Sequence, residues 1–116
     1  MGEVIEGAKG NLLVINDDGS IKRQATSVVT VSTTNASTVS QVLKAANSDR
    51  KGLTIMNDDG TGVLYVAFAP TDTTLTHTVR IPAYGYYEMP LPIYVGAIAG
   101  TWSTTTGGGK AFVTEF

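Results

Sequence analysis

The chain contains no cysteine and a single histidine among its 116 residues. Without cysteine there is neither a disulfide frame nor a thiolate metal site, so stability has to come from packing or assembly. The lone His77 excludes a site built from several histidines and a triad that needs a second one. Its expected role is a strand or surface histidine. Charge is also sparse: Asp, Glu, Lys and Arg make up 16% of the chain, the net charge is −2, and the eight basic residues are scattered. Such a distribution leaves no electrostatic footprint for nucleic acid or an anionic membrane. No apolar run approaches the roughly 20 residues of a spanning helix. The opening Met-Gly-Glu-Val-Ile-Glu is acidic, lacks an apolar signal segment, and places Glu6 where a myristoylation signal has Ser or Thr. The expectation is a chain made, and first folded, in the cytoplasm.

What the chain does have is a β composition, with 17 Thr, 7 Ser and 13 Gly. Its length suits one domain, which at this size buries about two-thirds of the surface exposed by the unfolded chain. The stretch 52–68 organises the reading. Leu53 and Ile55 alternate with Thr54 and Met56, residues 57–62 (Asn-Asp-Asp-Gly-Thr-Gly) tolerate left-handed backbone, and 63–68 is a β-branched and aromatic run. That pattern predicts a hairpin. In its second arm Leu64, Val66 and Phe68 share one face and Val63, Tyr65 and Ala67 the other, so both faces are apolar. A strand of this kind belongs to a sheet covered on both sides, by a second sheet or a neighbouring subunit.

Around this stretch the chain reads as short strands separated by turns. Residues 1–25 combine the apolar run 12–15 with an Asn-Asp-Asp-Gly turn at 16–19 and a polar tail, which predicts an arm or small hairpin. Val39, Val42, Leu43 and Ala46 fit a helical spacing with Ser37 as cap. Val39, Leu43 and Ala45 also fit one face of a strand, and the β-rich surroundings favour the strand. A strand is expected over 77–81, stopped by Pro82. The aromatic segment 84–89 is extended, and Pro90 and Pro92 confine it to a sheet edge or a crossing between sheets. Residues 94–102 form a further strand, 107–109 (Gly-Gly-Gly) a loose hairpin turn, and 111–116 the closing strand. Seven to nine short strands with regular turn signals predict an all-β, antiparallel sandwich or jelly-roll-like domain over 31–116, preceded by an N-terminal arm or hairpin over 1–30.

No set of residues assembles into a catalytic centre. The two Asn-Asp-Asp-Gly clusters offer hard oxygen ligands but lack the Asp-x-Asp-x-Asp-Gly spacing and distal Glu of a calcium loop, so they read as turns. Glu88 has no identifiable partner carboxylate. The sequence around Lys110 lacks the following Ser or Thr of a phosphate loop. No enzymatic activity, cofactor or metal is therefore expected. The residues that stand out are Tyr84, Tyr86, Tyr87, Tyr94 and Trp102, which suit core packing, a protein interface, or a platform for stacking sugars.

Five segments occur in a telling order. They are Asn47-x-x-Arg50-x-x-Leu53-x-Ile55-x-Asn57, Leu64-Tyr65-Val66, Tyr86-Tyr87-Glu88-x-Pro90, Tyr94-x-Gly96-x-Ile98-x-Gly100-x-Trp102 and Val113-Thr114-Glu115. Over residues 39–116 this order resembles a set of small virion proteins of tailed bacteriophages. The resemblance implies a β-sandwich or jelly-roll-like module of a capsid decoration (cement) protein, head fibre or tail component. It implies binding to the major capsid protein or other virion proteins, self-association as a homotrimer, a location on the virion exterior, and no enzymatic activity. The alternative is a tail or adhesin module that binds host-surface carbohydrate through its exposed aromatics.

Overall fold

Alternation of buried and exposed side chains is clearest in two strands that lie side by side. In Leu53–Asp58, Leu53, Ile55 and Asn57 are buried between Thr54, Met56 and Asp58; in Lys110–Glu115, Ala111, Val113 and Glu115 are buried between Phe112 and Thr114. They pair antiparallel with Ile55 opposite Val113 and Leu53 opposite Glu115, so one face of the pair forms core.

The computed structural model describes the backbone of residues 3–8 and 11–15, and residues 28–72 and 75–116 in full. Among the described residues there is no helix. The strands are β1 (Glu3–Ala8), β2 (Asn11–Ile15), β3 (Thr30–Asn35), β4 (Gln41–Lys44), β5 (Leu53–Asp58), β6 (Leu64–Ala67), β7 (Val79–Ile81), β8 (Tyr86–Glu88), β9 (Ile98–Trp102) and β10 (Lys110–Glu115). β1 and β2 form an antiparallel hairpin. The other strands form two antiparallel four-stranded sheets, ordered β3-β10-β5-β8 and β4-β9-β6-β7. The architecture is a β-sandwich, as the turn spacing predicts.

The core lies between the sheets. Ile55, Leu64, Val66, Ile98 and Trp102 are completely buried. Burying a large aliphatic side chain contributes about 1.5–3 kcal/mol, and in a chain without disulfides this is the principal stabilisation.

Two expectations need correction, for one reason. The stretch 52–68 is not a hairpin, because β5 and β6 lie in opposite sheets, and the glycine run 107–109 is not a hairpin turn, because β9 and β10 do too. Among β3 to β10 every connection except β6–β7 changes sheet. A turn sequence specifies reversal, whereas the partner of each strand is decided by which face must be buried. Nor does 57–62 use left-handed backbone, since positive φ occurs only at Tyr84 and Gly108 among the described residues.

Other expectations stand with adjustments. Residues 41–44 are strand, not helix. The segment 84–89 contributes the short edge strand β8. The strand expected over 94–102 begins only at Ile98. In the hairpin at the start of the chain, the run 12–15 pairs with the residues before it, and the turn expected at 16–19 lies outside the described residues.

The two-sided apolar character of β6 is also accounted for. Leu64 and Val66 face the core. On the other side of this sheet Ala67, Ala99 and Thr101 are buried as well, where the Thr101 hydroxyl donates to the carbonyl of Asp72 and the Asp72 amide donates to Ser40 Oγ. Asp72, after β6, thus lies over the outer face of this sheet.

Candidate interaction surface

Two polar networks are buried in the fold. In the first, Arg50, in the turn before β5, is buried against Glu115 near the end of β10. Arg50 Nε donates to Glu115 Oε2 at 2.8 Å, Nη1 to the carbonyls of Tyr94 (2.7 Å) and Gly96 (3.0 Å), and Nη2 to that of Ala45 (2.8 Å). Asn47 Nδ2 donates to the other Glu115 oxygen at 3.1 Å, with Lys44 Nζ at 4.0 Å. Burial opposes ionisation of Glu115, but the Arg50 and Asn47 hydrogen bonds and the charges of Arg50 and Lys44 outweigh it and hold the carboxyl below its ordinary range. A carboxylate whose two oxygens are both engaged is a structural tie. A groove of about 280 Å³ opens beside it between Thr30, Asp49, Lys51 and Phe116.

The second network joins the sheets. Asn57 Nδ2 lies within hydrogen-bonding distance of the carbonyls of Gly62 (2.9 Å), Ile81 and Pro82 (both 3.1 Å), and Asn57 Oδ1 accepts from Trp102 Nε1. Asp59 caps the crossing that follows. Its Oδ1 accepts from the amides of Thr61 and Gly62, both at 2.8 Å, and its Oδ2 from the amide of Gly109. The Gly62 and Thr61 amides lower its pKa most, burial pushes the other way, and the Gly109 amide and Thr61 hydroxyl add to the lowering. The glycine run is therefore held against Asp59 rather than loose.

The five aromatics separate. Trp102 is fully buried, so it is a core residue and offers no surface for a sugar or a partner. Tyr87 points inward, and burial raises its phenol pKa. Phe68 lies beside it at 6.4 Å and stacks on Tyr94 at 5.2 Å with the rings 5° from parallel. Tyr94 is half-buried and donates to the carbonyl of Ala97. Only Tyr84 and Tyr86 are largely exposed, at 66% and 64%. Tyr84 has a left-handed φ of 56°, uncommon for a bulky residue, with its ring against Gly60.

The remaining candidates are not brought together. His77 is exposed and packs against Tyr65 at 4.7 Å, before a strand of one sheet, while Glu88 is exposed on the edge strand of the other. Among the described residues no three His, Asp or Glu side chains gather where they could hold a metal ion.

What the structure adds is a surface. Register places Thr33, Phe112, Met56 and Tyr86 in one row across β3, β10, β5 and β8, on the face turned away from the core. Val31 lies diagonally beside Phe112. Met56, Tyr86 and Val31 are 40%, 64% and 63% exposed. The sequence alone does not reveal this row, because its members come from four separate segments. The residues of the buried networks do have a sequence signal: Asn47, Arg50, Asn57, Trp102 and Glu115 all belong to the motifs that carry the phage resemblance.

No protein-family model matches the chain, and no curated protein or solved structure matches it.

Proposed function

We propose that the protein is a non-enzymatic structural component of a tailed-bacteriophage virion, a capsid decoration (cement) or head-fibre protein that binds and stabilises the capsid surface. The observation that carries this reading is the outward-facing row in which half-buried Phe112 lies beside exposed Met56 and Tyr86, with exposed Val31 alongside. Contiguous apolar surface on a sheet is characteristic of a contact face, whereas reactive sites need polar groups with unused valence. Four of the buried polar side chains, Arg50, Asn57, Asp59 and Glu115, are engaged in holding the fold. The motifs of the resemblance fall on that same framework, as suits a module built to be displayed. Its partners are the major capsid protein or other virion proteins, and copies of itself.

The test is titration of undecorated capsids with purified protein. Saturation at a fixed stoichiometry is expected, with loss of binding in a Met56→Lys, Tyr86→Lys double variant. Absence of binding to capsid or tail surfaces would overturn the reading. The exposure of Tyr84 and Tyr86 keeps the carbohydrate-binding alternative in view, and that alternative requires glycan binding that disappears in Tyr84→Ala, Tyr86→Ala.

A further inference from the structure

Three of the loops that cross between the sheets, 59–63, 82–85 and 103–109, meet at one end of the sandwich. The Tyr84 amide donates to the Asp59 carbonyl at 3.3 Å, and Asp59 Oδ2 accepts from the Gly109 amide at 3.2 Å. Loops held together on a rigid scaffold are where sandwich folds carry their binding sites. Two features of this end have no evident part in holding the fold.

The first is Tyr84. Its φ of 56° suits Gly or Asn, yet the chain places there a bulky ring that is largely exposed. Strain that the surroundings hold rather than relieve marks a position kept for use. A Cβ at Gly60 would lie 2.8 Å from the Tyr84 hydroxyl, so the hydroxyl end of the ring rests on Gly60 while most of the side chain stays open to solvent. The second feature begins at the next residue, as a row of threonine hydroxyls. Thr61 Oγ1 donates to Asp59 Oδ1 at 3.2 Å, Thr106 Oγ1 lies 3.3 Å from Thr61 Oγ1, and Thr104 Oγ1 donates to Thr106 Oγ1 at 3.3 Å. A carboxylate only accepts, so it sets the direction: the Thr61 proton goes to Asp59, that of Thr106 to Thr61 and that of Thr104 to Thr106. Thr61 and Thr106, both exposed, thus spend their protons inside the row and each keep a lone pair for a donor from outside.

From this juxtaposition we infer that the loop end of the sandwich binds a neutral glycan, with one sugar ring stacked by its C–H face on Tyr84 and its hydroxyls donating to Thr61 and Thr106. The chemistry selects the ligand. Asp59 is the one charged residue in the three loops, and it is buried with both oxygens engaged, so an anionic ligand would meet no cation there. A protein partner is held by clustered large anchors, whereas these loops expose one aromatic ring among hydroxyls. A sugar carries an apolar ring face and several hydroxyl donors in one molecule, which matches an aromatic platform beside fixed acceptors. The inference does not rest on the virion reading, and it places the carbohydrate alternative on the loops rather than on the sheet face with Tyr86.

The test is calorimetric titration of the isolated full-length chain, without capsids, with soluble neutral oligomers of glucose, galactose, mannose and N-acetylglucosamine, and with oligogalacturonate as the acidic comparison. Saturable binding to at least one neutral oligomer is expected, and none to oligogalacturonate. Tyr84→Asn and Thr106→Val should each weaken binding about tenfold or more, while Tyr86→Ala leaves it unchanged. Asn tolerates the left-handed backbone, so Tyr84→Asn should melt no lower than the wild type, which separates lost binding from lost folding. Silence with all four neutral oligomers, full binding in the folded Tyr84→Asn or Thr106→Val variant, preference for the acidic oligomer, or binding abolished by Tyr86→Ala would each overturn the inference. Each leaves the capsid titration to decide the virion reading by itself.

Discussion

Trp102 Nε1 in β9 donates a hydrogen bond to Asn57 Oδ1 in β5 at 3.1 Å, linking one sheet to the other through the centre of the core. Both side chains are completely buried, and the Asn57 amide also satisfies carbonyls at the ends of two further segments. A buried amide removed without replacement leaves several polar groups unpaired, at about 1–3 kcal/mol each. Asn57→Ala is therefore expected to destabilise the fold by about 3 kcal/mol or more, and Trp102→Phe by about 2 kcal/mol from the lost donor and volume. Urea denaturation should show lower midpoints at an unchanged slope.

The exposed and buried aromatics should respond oppositely. Tyr86→Ala and Tyr84→Ala replace exposed rings and should leave stability within about 1 kcal/mol, whereas Trp102→Ala should cost about 3–5 kcal/mol. Thermal melts of the three variants check this. They also show which aromatics can be used as clean probes of binding.

Stability should fall on the acid side. Glu115 and Asp59 both ionise below their ordinary values of 4.5 and 3.8 in the folded chain. As pH drops, the unfolded chain takes up protons at these positions first, so their stabilisation is whole above the ordinary carboxylate range and is lost through and below it. Denaturant midpoints at pH 7 and pH 3 should differ in that direction. Glu115→Gln should reduce the dependence while lowering stability at neutral pH. Arg50→Ala, which strands a buried carboxylate, should cost about 3–5 kcal/mol.

Adjacent glycines should behave differently. A Cβ at Gly109 would collide with the Asp58 carbonyl and the backbone of Asp59, while at Gly108 nothing lies within 4 Å and the strain comes only from its φ of 61°. Gly108→Ala should therefore cost about 1–2 kcal/mol. Gly109→Ala should cost more, because the Asp59 cap has to move. Melting temperatures of the two variants make the comparison.

Much of the fold is legible residue by residue. The alternation in 53–57 and 111–115 marks half-buried strands, and Pro90 and Pro92 mark an edge segment. The site was less legible. Glu115 stands 65 residues from Arg50, and no local pattern announces that a carboxylate near the chain end will meet a guanidinium in a turn. Asn57 reads as a turn residue, yet it is a core residue whose oxygen accepts from Trp102 and whose amide nitrogen sits among three carbonyls.

Composition and periodicity by themselves determined that this chain makes short antiparallel strands, because alternation and turn chemistry are local properties. Only the tertiary structure decided which strands became neighbours. The chain crosses between sheets at nearly every turn since burying both inner faces requires it, and that crossing is what gathers Phe112, Met56 and Tyr86 onto one outer face.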